Sequence, residues 1–393
     1  MTLEDSVDFF VHESCVMASL DLCCGNTDRT WRALGGALDM EGARITRDSL
    51  YDLASLTKLM TGTLVMSLYE QGCLDLGKPV TAYASQFEYL KEVTVDQLLG
   101  FEVNIQTPER IDRARDRETA VRALFAARAM PHTGSRMYSD IHAMILKYVI
   151  QAASGRSYME CLKTLILNPL GMKRTYCLVP DSERIHCASC DREHRIEGNR
   201  WILREGIEKG TPHDPKCRML NLEGNDCPGH AGLFSCMEDM EKFCRGMLDG
   251  KLLSEANLER MSRNRTGRKL ADGTYTQYLG SQCYVRHPEQ VHSEVPVFMS
   301  DSSMAVSGFT GHHLSLDPVS HIFEIALGNR VLNRLTVLVP PEGKNIQDYG
   351  LDERGQGWIE WTDGERIRSS VRYVYLRDAH MHNAAQQVLG YHI

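Results

Sequence analysis

The order of apolar patterns along the 393 residues predicts an α/β fold of the α+β kind. An antiparallel sheet flanked by helices draws its strands from both chain ends, and a mainly helical domain is inserted between them. Three observations point there. Strand-like runs open the chain, helical periodicity dominates residues 70 to 250, and strand-like runs return after residue 295. The boundaries this order implies are 1–70 with 235–393 for the sheet domain and 71–234 for the helical insert.

Taken in order, residues 4 to 14 read as a short helix. Cys15 to Leu22 reads as a strand, turned by Cys24-Gly25-Asn26 into a second strand, Trp31 to Leu38. Leu56, Leu59, Met60, Leu64, Val65, Met66 and Leu68 leave almost no polar face, which predicts a buried helix. Turn signals punctuate the insert at Gly100, Pro108, Pro131 to Gly134, Pro169 to Gly171 and Pro228 to Gly232. Val295 to Met299, His312 to Leu316, Ile322 to Leu327 and Leu335 to Val339 read as strands. An amphipathic stretch, Val374 to Leu389, is expected to pack on the sheet as a helix. No internal repeat or low-complexity tract interrupts the pattern.

Composition limits the function classes. With 44 Lys and Arg against 52 Asp and Glu the net charge is −8, the wrong sign for a nucleic-acid groove. No window approaches the ~18 uncharged apolar residues of a membrane helix, and the acidic start, Met1-Thr-Leu-Glu-Asp, is unlike a secretory signal. The expectation is a soluble cytoplasmic protein. Thirteen cysteines, an odd number, then suggest reduced thiols. Cys187 and Cys190 form a CxxC near His186, His194, Cys217 and Cys227, but nine residues separate the second cysteine pair, which is not zinc-knuckle spacing. Neither a metal nor a cofactor is expected. Gly72 to Lys78 imitates a P-loop, but Pro79 stands where the magnesium-binding hydroxyl belongs, so a helix stop accounts for it better.

Ser55-Leu-Thr-Lys58 carries more chemistry. At i and i+3 on the first turn of the apolar helix, the Lys58 amine can reach the Ser55 hydroxyl. Serine needs a neighbouring base, and a lysine desolvated against apolar surroundings can have its pKa lowered enough to serve. The helix N-terminus adds N–H groups that favour an oxyanion. Alone, the same four residues would equally be a serine N-cap with a snorkelling lysine.

Context decides between them. Ser49 to Lys58, followed by Leu68-Tyr-Glu-Gln-Gly-Cys-Leu-Asp-Leu-Gly-Lys-Pro-Val80, resembles the serine β-lactamase and penicillin-binding-protein-like family, in its class C β-lactamase and esterase branch. Tyr138-Ser139-Asp140 resembles that family's second motif. Asn168 to Met172, His213-Asp214 and Gly229 to Ser235 match its recurrent phrases, and Ser307-Gly-Phe-Thr-Gly311 with Gly328-Asn-Arg330 resembles its third motif and partner strand. The likeness is collinear from about residue 30 to 335.

The resemblance implies a β-lactamase/transpeptidase-like fold and a division of roles. Ser55 would attack an ester or amide carbonyl, and Lys58 would take its proton, directly or through Tyr138. For Tyr138 to be the base itself, its pKa would have to fall. The backbone N–H groups of Ser55 and Phe309 would form the oxyanion hole, with Asp140, Ser307 and Gly308 bordering the substrate. Three departures stand out. Val306 occupies the place of the third motif's usual cation, so no partner for a substrate carboxylate is expected there, and His312 and His313 lie too far along to assume that place. Asp140 replaces an amide and, paired with Lys58, would raise the lysine pKa. Leu98 to Asn104 lacks the usual Thr-His-Thr-Ser-Gly segment. The implied activity is a serine hydrolase acting on a small ester, amide or peptide: an esterase, a D-amino-acid amidase or peptidase, or a weak β-lactamase. An acyltransferase or cyclase using the same acyl-enzyme, and a non-catalytic member of the family, are the alternatives. Oligomeric state has no signature in the sequence.

Overall fold

The computed structural model describes residues 1–132, 134–221, 226–289 and 294–391. In chain order its strands begin with β1 (Ser19–Gly25), β2 (Thr30–Gly36), β3 (Tyr51–Asp52), β4 (Asn104–Gln106), β5 (Arg128–Met130), β6 (Glu193–Glu197), β7 (Arg200–Arg204) and β8 (Phe234–Ser235). They continue with β9 (Tyr284–Val285), β10 (Met304–Gly308), β11 (His312–Asp317), β12 (Ile322–Asn329), β13 (Arg334–Val339), β14 (Trp358–Glu360) and β15 (Arg366–Ser369).

The main sheet runs β2-β1-β12-β11-β10-β9, antiparallel throughout and built from both chain ends. Its period of two divides the side chains between two cores. Ile325 and Leu327 of β12 join Leu59, Met60 and Leu64 of the helix Thr57–Glu70 on one face. Ala326 between them joins Leu3, Val7, Leu376 and Ala384 of the terminal helices on the other. The apolar helix is buried from Thr57 to Leu68, because it shares a core with the sheet and with Met144, Ile145 and Val149 of the helix Asp140–Ser154. The Val374 to Leu389 stretch is helical as expected, interrupted by one wider turn at Asp378–His382.

Several local readings need correction. The first hairpin turns at Asn26, whose side chain accepts the N–H groups of Asp28 and Arg29, so β1 continues through Gly25. There a Cβ would lie 2.5 Å from the Phe323 ring, which only glycine avoids. Val295 to Met299 is not a strand: Pro296 lacks an N–H and its carbonyl instead closes a turn onto Met299. The stretch read as helical contains the hairpin β6-β7, turned at Gly198 with φ +62°. Leu335 to Val339 is a strand, but of a second sheet, β14-β15-β13-β6-β7, where β13 runs parallel to β6. That sheet joins a hairpin from the middle of the chain to strands after residue 333. Among the described residues no helix is long and apolar enough to cross a membrane, and no cysteine is disulfide-bonded.

Candidate active site

Ser55 lies in the tight turn Ala54–Leu56 that leads into the apolar helix. Ala54 holds φ +46°, an uncommon conformation for a residue with a Cβ, and the buried Asp52 stabilises it by accepting the Ala54 N–H at 3.0 Å. The other Asp52 oxygen accepts the His213 N–H at 2.7 Å, tying the turn to the loop that carries Asp214. Behind it, β10 approaches so closely that a Cβ on Gly308 would sit 2.9 Å from the Leu53 carbonyl oxygen. Gly308 therefore sets the distance between the third motif and the turn that carries Ser55.

One turn on, Lys58 is completely buried. Its Nζ donates to Ser55 Oγ at 2.9 Å and to the His230 carbonyl at 3.0 Å, and pairs with Asp140 Oδ1 at 2.7 Å. Three contacts match the three protons of an ammonium. Burial works to lower the Lys58 pKa, but Asp140 and Tyr138 outweigh it and the pKa stands above the usual lysine value. Of the two opposed expectations, a lysine lowered by its apolar setting and one raised by pairing with Asp140, the second holds: the carboxylate outweighs burial.

Asp140 opens the helix Asp140–Ser154, N-capped by Ser139, which fixes its carboxylate at the first turn. Burial favours its neutral form, yet Lys58 and Lys216 hold its pKa well below the carboxylate range. Lys216 Nζ reaches Asp140 Oδ2 at 3.0 Å and Asp214 Oδ2 at 3.1 Å. The charges thus alternate, Lys58, Asp140, Lys216, Asp214.

Tyr138 precedes that helix, its backbone held by Gln277 Oε1, which accepts the Met137 and Tyr138 N–H groups at 2.9 Å each. Its ring is stacked between Phe101, centroid at 5.3 Å, and Tyr284, at 5.4 Å. The buried hydroxyl lies near enough to Lys58 and Ser55 for both to favour phenolate, but makes no hydrogen bond of good geometry. Burial dominates and raises its pKa, which favours the neutral phenol over phenolate.

Phe309 and Ser55 face one cavity of about 170 Å³. Arg330 Nη1 donates to the Phe309 carbonyl at 2.8 Å, and the ring stacks on His213 at 5.4 Å, which immobilises this backbone. A second cavity, of about 440 Å³, lies beside Tyr138, Asp140 and Lys216.

The third motif departs from expectation. Val306 packs into the core shared with the apolar helix, while Ser307 meets a buried polar group. Ser307 Oγ donates to Glu294 and accepts from Arg377 Nη1 at 2.6 Å, His313 Nδ1 lies 3.2 Å away, and Arg377 Nη2 pairs with Glu294 at 2.8 Å. A cation is therefore present at this motif, contrary to the reading of Val306, but it comes from the C-terminal helix and is already paired.

Ser55, Lys58, Tyr138 and Asp140 are thus brought together, with Phe309 across the cavity. Lys216, Tyr284, Phe101 and Arg377 were missed. The His213-Asp214 phrase was the available signal for Lys216 two residues on, whereas nothing local marks Tyr284. Among the described residues, metal-type donors converge at Asp214, Cys217 and His230, within 4.8 Å of one another, rather than at Cys187 and Cys190. His230 Nε2 lies 3.6 Å from Cys217 Sγ and 3.5 Å from Asp214, so hydrogen bonding accounts for the grouping.

A family model described as Beta-lactamase matches residues 17–337. A Salmonella typhimurium protein provisionally named a D-alanyl-D-alanine carboxypeptidase is 26% identical over 363 residues, covering 83% of this chain and 79% of that protein. The structure of EstCE1, described as a hydrolase with promiscuous acyltransferase activity, superposes with a TM-score of 0.66 at 15% identity, over 98% of this chain and 97% of that one. A class C β-lactamase from Rhodobacter sphaeroides gives a TM-score of 0.62 at 18% identity, over 84% and 93%.

Proposed function

This chain belongs to the β-lactamase family, and on that premise we propose that it is a serine hydrolase that cleaves a small ester or amide through an acyl-enzyme at Ser55. One observation carries the reading: a completely buried lysine lies 2.9 Å from a serine hydroxyl at the mouth of an apolar helix. Stability alone gives no reason to bury an ammonium there.

In the proposed reaction Ser55 Oγ adds to the substrate carbonyl while its proton passes to Lys58 in the lysine's neutral form. The backbone N–H groups of Ser55 and Phe309 take up the oxyanion's charge. Collapse of the adduct breaks the bond to the leaving group, which receives the proton from Lys58 by way of the Tyr138 hydroxyl. Water then adds to the acyl-enzyme by the reverse proton path and releases Ser55. An esterase or D-amino-acid amidase fits better than an efficient β-lactamase, because Val306 provides no charge and Arg377 is already neutralised by Glu294.

Intact mass after incubation with a fluorophosphonate, and separately with a penicillin, tests this against Ser55→Ala. A Ser55-dependent gain with the fluorophosphonate is expected, and a penicillin adduct would move the assignment toward lactam recognition. Folded protein that gains mass from neither reagent would overturn the catalytic reading in favour of a binding role.

A further inference from the structure

The cavity at Ser55 has a basic wall for which the proposed chemistry has no use. Four cations, Arg110, Arg195, Arg204 and Lys216, line it against two carboxylates, Asp112 and Asp214. Arg195 and Arg204 come from the β6-β7 hairpin. The carboxylate that anchors them, Glu193, is completely buried and is not part of the cavity wall. It lies 3.0 Å from Arg195 Nη1 and 3.2 Å from Arg204 Nη1, and it also bonds His213 and Thr336. So many donors on one carboxylate exceed what neutralising it requires.

Arg204 uses only Nη1 in this arrangement, so its Nε and Nη2 have no protein partner among the described residues. Arg110 grips Asp112 with Nε and Nη2, at 3.1 and 2.6 Å, which leaves Nη1. Arg204, fixed from behind by the buried Glu193 and with free N–H groups at the front, suits a carboxylate, which accepts paired N–H donors in a plane, and the more exposed Arg110, paired with Asp112 within the same wall, has its Nη1 to add. At about 170 Å³ the space admits a short acyl chain but not a folded peptide. We propose that this cavity receives the acyl part of the substrate, and that the acyl part ends in a carboxylate a few bonds from the scissile carbonyl, held by Arg204 and Arg110. The proposal rests on Ser55 being the nucleophile, and it names the substrate class: half-esters or half-amides of short dicarboxylic acids.

Two four-carbon acyl esters separate the possibilities, 4-nitrophenyl hydrogen succinate and 4-nitrophenyl butyrate, which differ in the terminal carboxylate. The expected result is a kcat/KM ratio above one for succinate over butyrate. That ratio falls by about tenfold or more in Arg204→Gln and in Arg110→Gln, as loss of a charged hydrogen bond requires, and recovers in part in Arg204→Lys. Fluorophosphonate labelling of each variant reports that its site is folded. A wild-type ratio below one, or a ratio unmoved by Arg204→Gln in labelled protein, overturns the proposal. If neither ester is turned over in a Ser55-dependent way, the hydrolase reading itself fails. Calorimetric titration with monomethyl succinate then decides the cavity alone: saturable binding weakened by Arg204→Gln upholds it, and no binding overturns it.

Discussion

Asp140 shows how one carboxylate governs the site. Its two oxygens are divided between Lys58 at 2.7 Å and Lys216 at 3.0 Å, so the lysine nearest Ser55 and a second lysine compete for one charge. Because the raised pKa of Lys58 keeps it protonated at neutral pH, acylation of Ser55 should accelerate as pH rises toward that pKa. Asp140→Asn removes the main attraction that stabilises the ammonium and leaves burial acting alone. The rising limb of the fluorophosphonate inactivation rate against pH should therefore move to lower pH, by about one unit or more. Lys216→Met removes the competitor, strengthens the hold of Asp140 on Lys58, and should move the limb the other way. Shifts in the same direction, or none, would show that Lys58 is not the titrating base.

At the scale of elements, the helix Thr57–Glu70 holds the Ser55 turn by its packing, not by amphipathic placement at a surface. Leu64 is completely buried in the core that this helix shares with the sheet, so Leu64→Ala should cost about 2–5 kcal/mol, read as a lower urea midpoint at unchanged slope. This helix was legible because its apolar residues leave no polar face, and β11 and β12 because their apolar runs are bounded by turns. The β6-β7 hairpin was not, although Glu197-Gly198-Asn199 is a turn signal: its flanking strands are rich in Arg and Glu, so hydrophobic periodicity is silent there. The arginines that hide it as a strand are those that line the Ser55 cavity. Arg377 escaped for another reason. It lies 70 residues from Ser307, and only the packing of the C-terminal helix against the sheet brings them together. Ser55, Lys58 and Tyr138 could be read because their motifs are local, and Asp140 in the second motif allowed a raised Lys58 pKa to be foreseen, whereas its balance against burial depended on the tertiary contact at 2.7 Å.

The whole molecule collects its sensitivity to acid in buried groups around Ser55. His142, donating from Nε2 to the Val103 carbonyl, and His312, against the Asp52 carbonyl and the Gly328 N–H, are each pushed by burial to about 4. In the unfolded chain both would titrate near ~6.5. The unfolded state therefore binds protons first as pH falls, and the stability these histidines confer is complete above ~6.5 and is lost progressively down to about 4. Glu193 follows at lower pH. Burial raises its pKa, but His213, Thr336 and Arg195 outweigh it and hold the carboxyl far below its usual value. Its contribution is present above ~4.3 and is lost as pH falls below that. Both effects have the same sign, so unfolding free energy from urea titrations should decline from ~6.5 down to about 4 and go on declining below that, with no acid plateau. Glu193→Gln separates the two. It should cost about 3–5 kcal/mol at pH 7, where it leaves Arg195 and Arg204 facing an uncharged amide, and much less at pH 3. A cost that stays constant across that range would show that the second sheet is joined to the Ser55 turn by packing alone, without the charge that also orients the arginines toward Ser55.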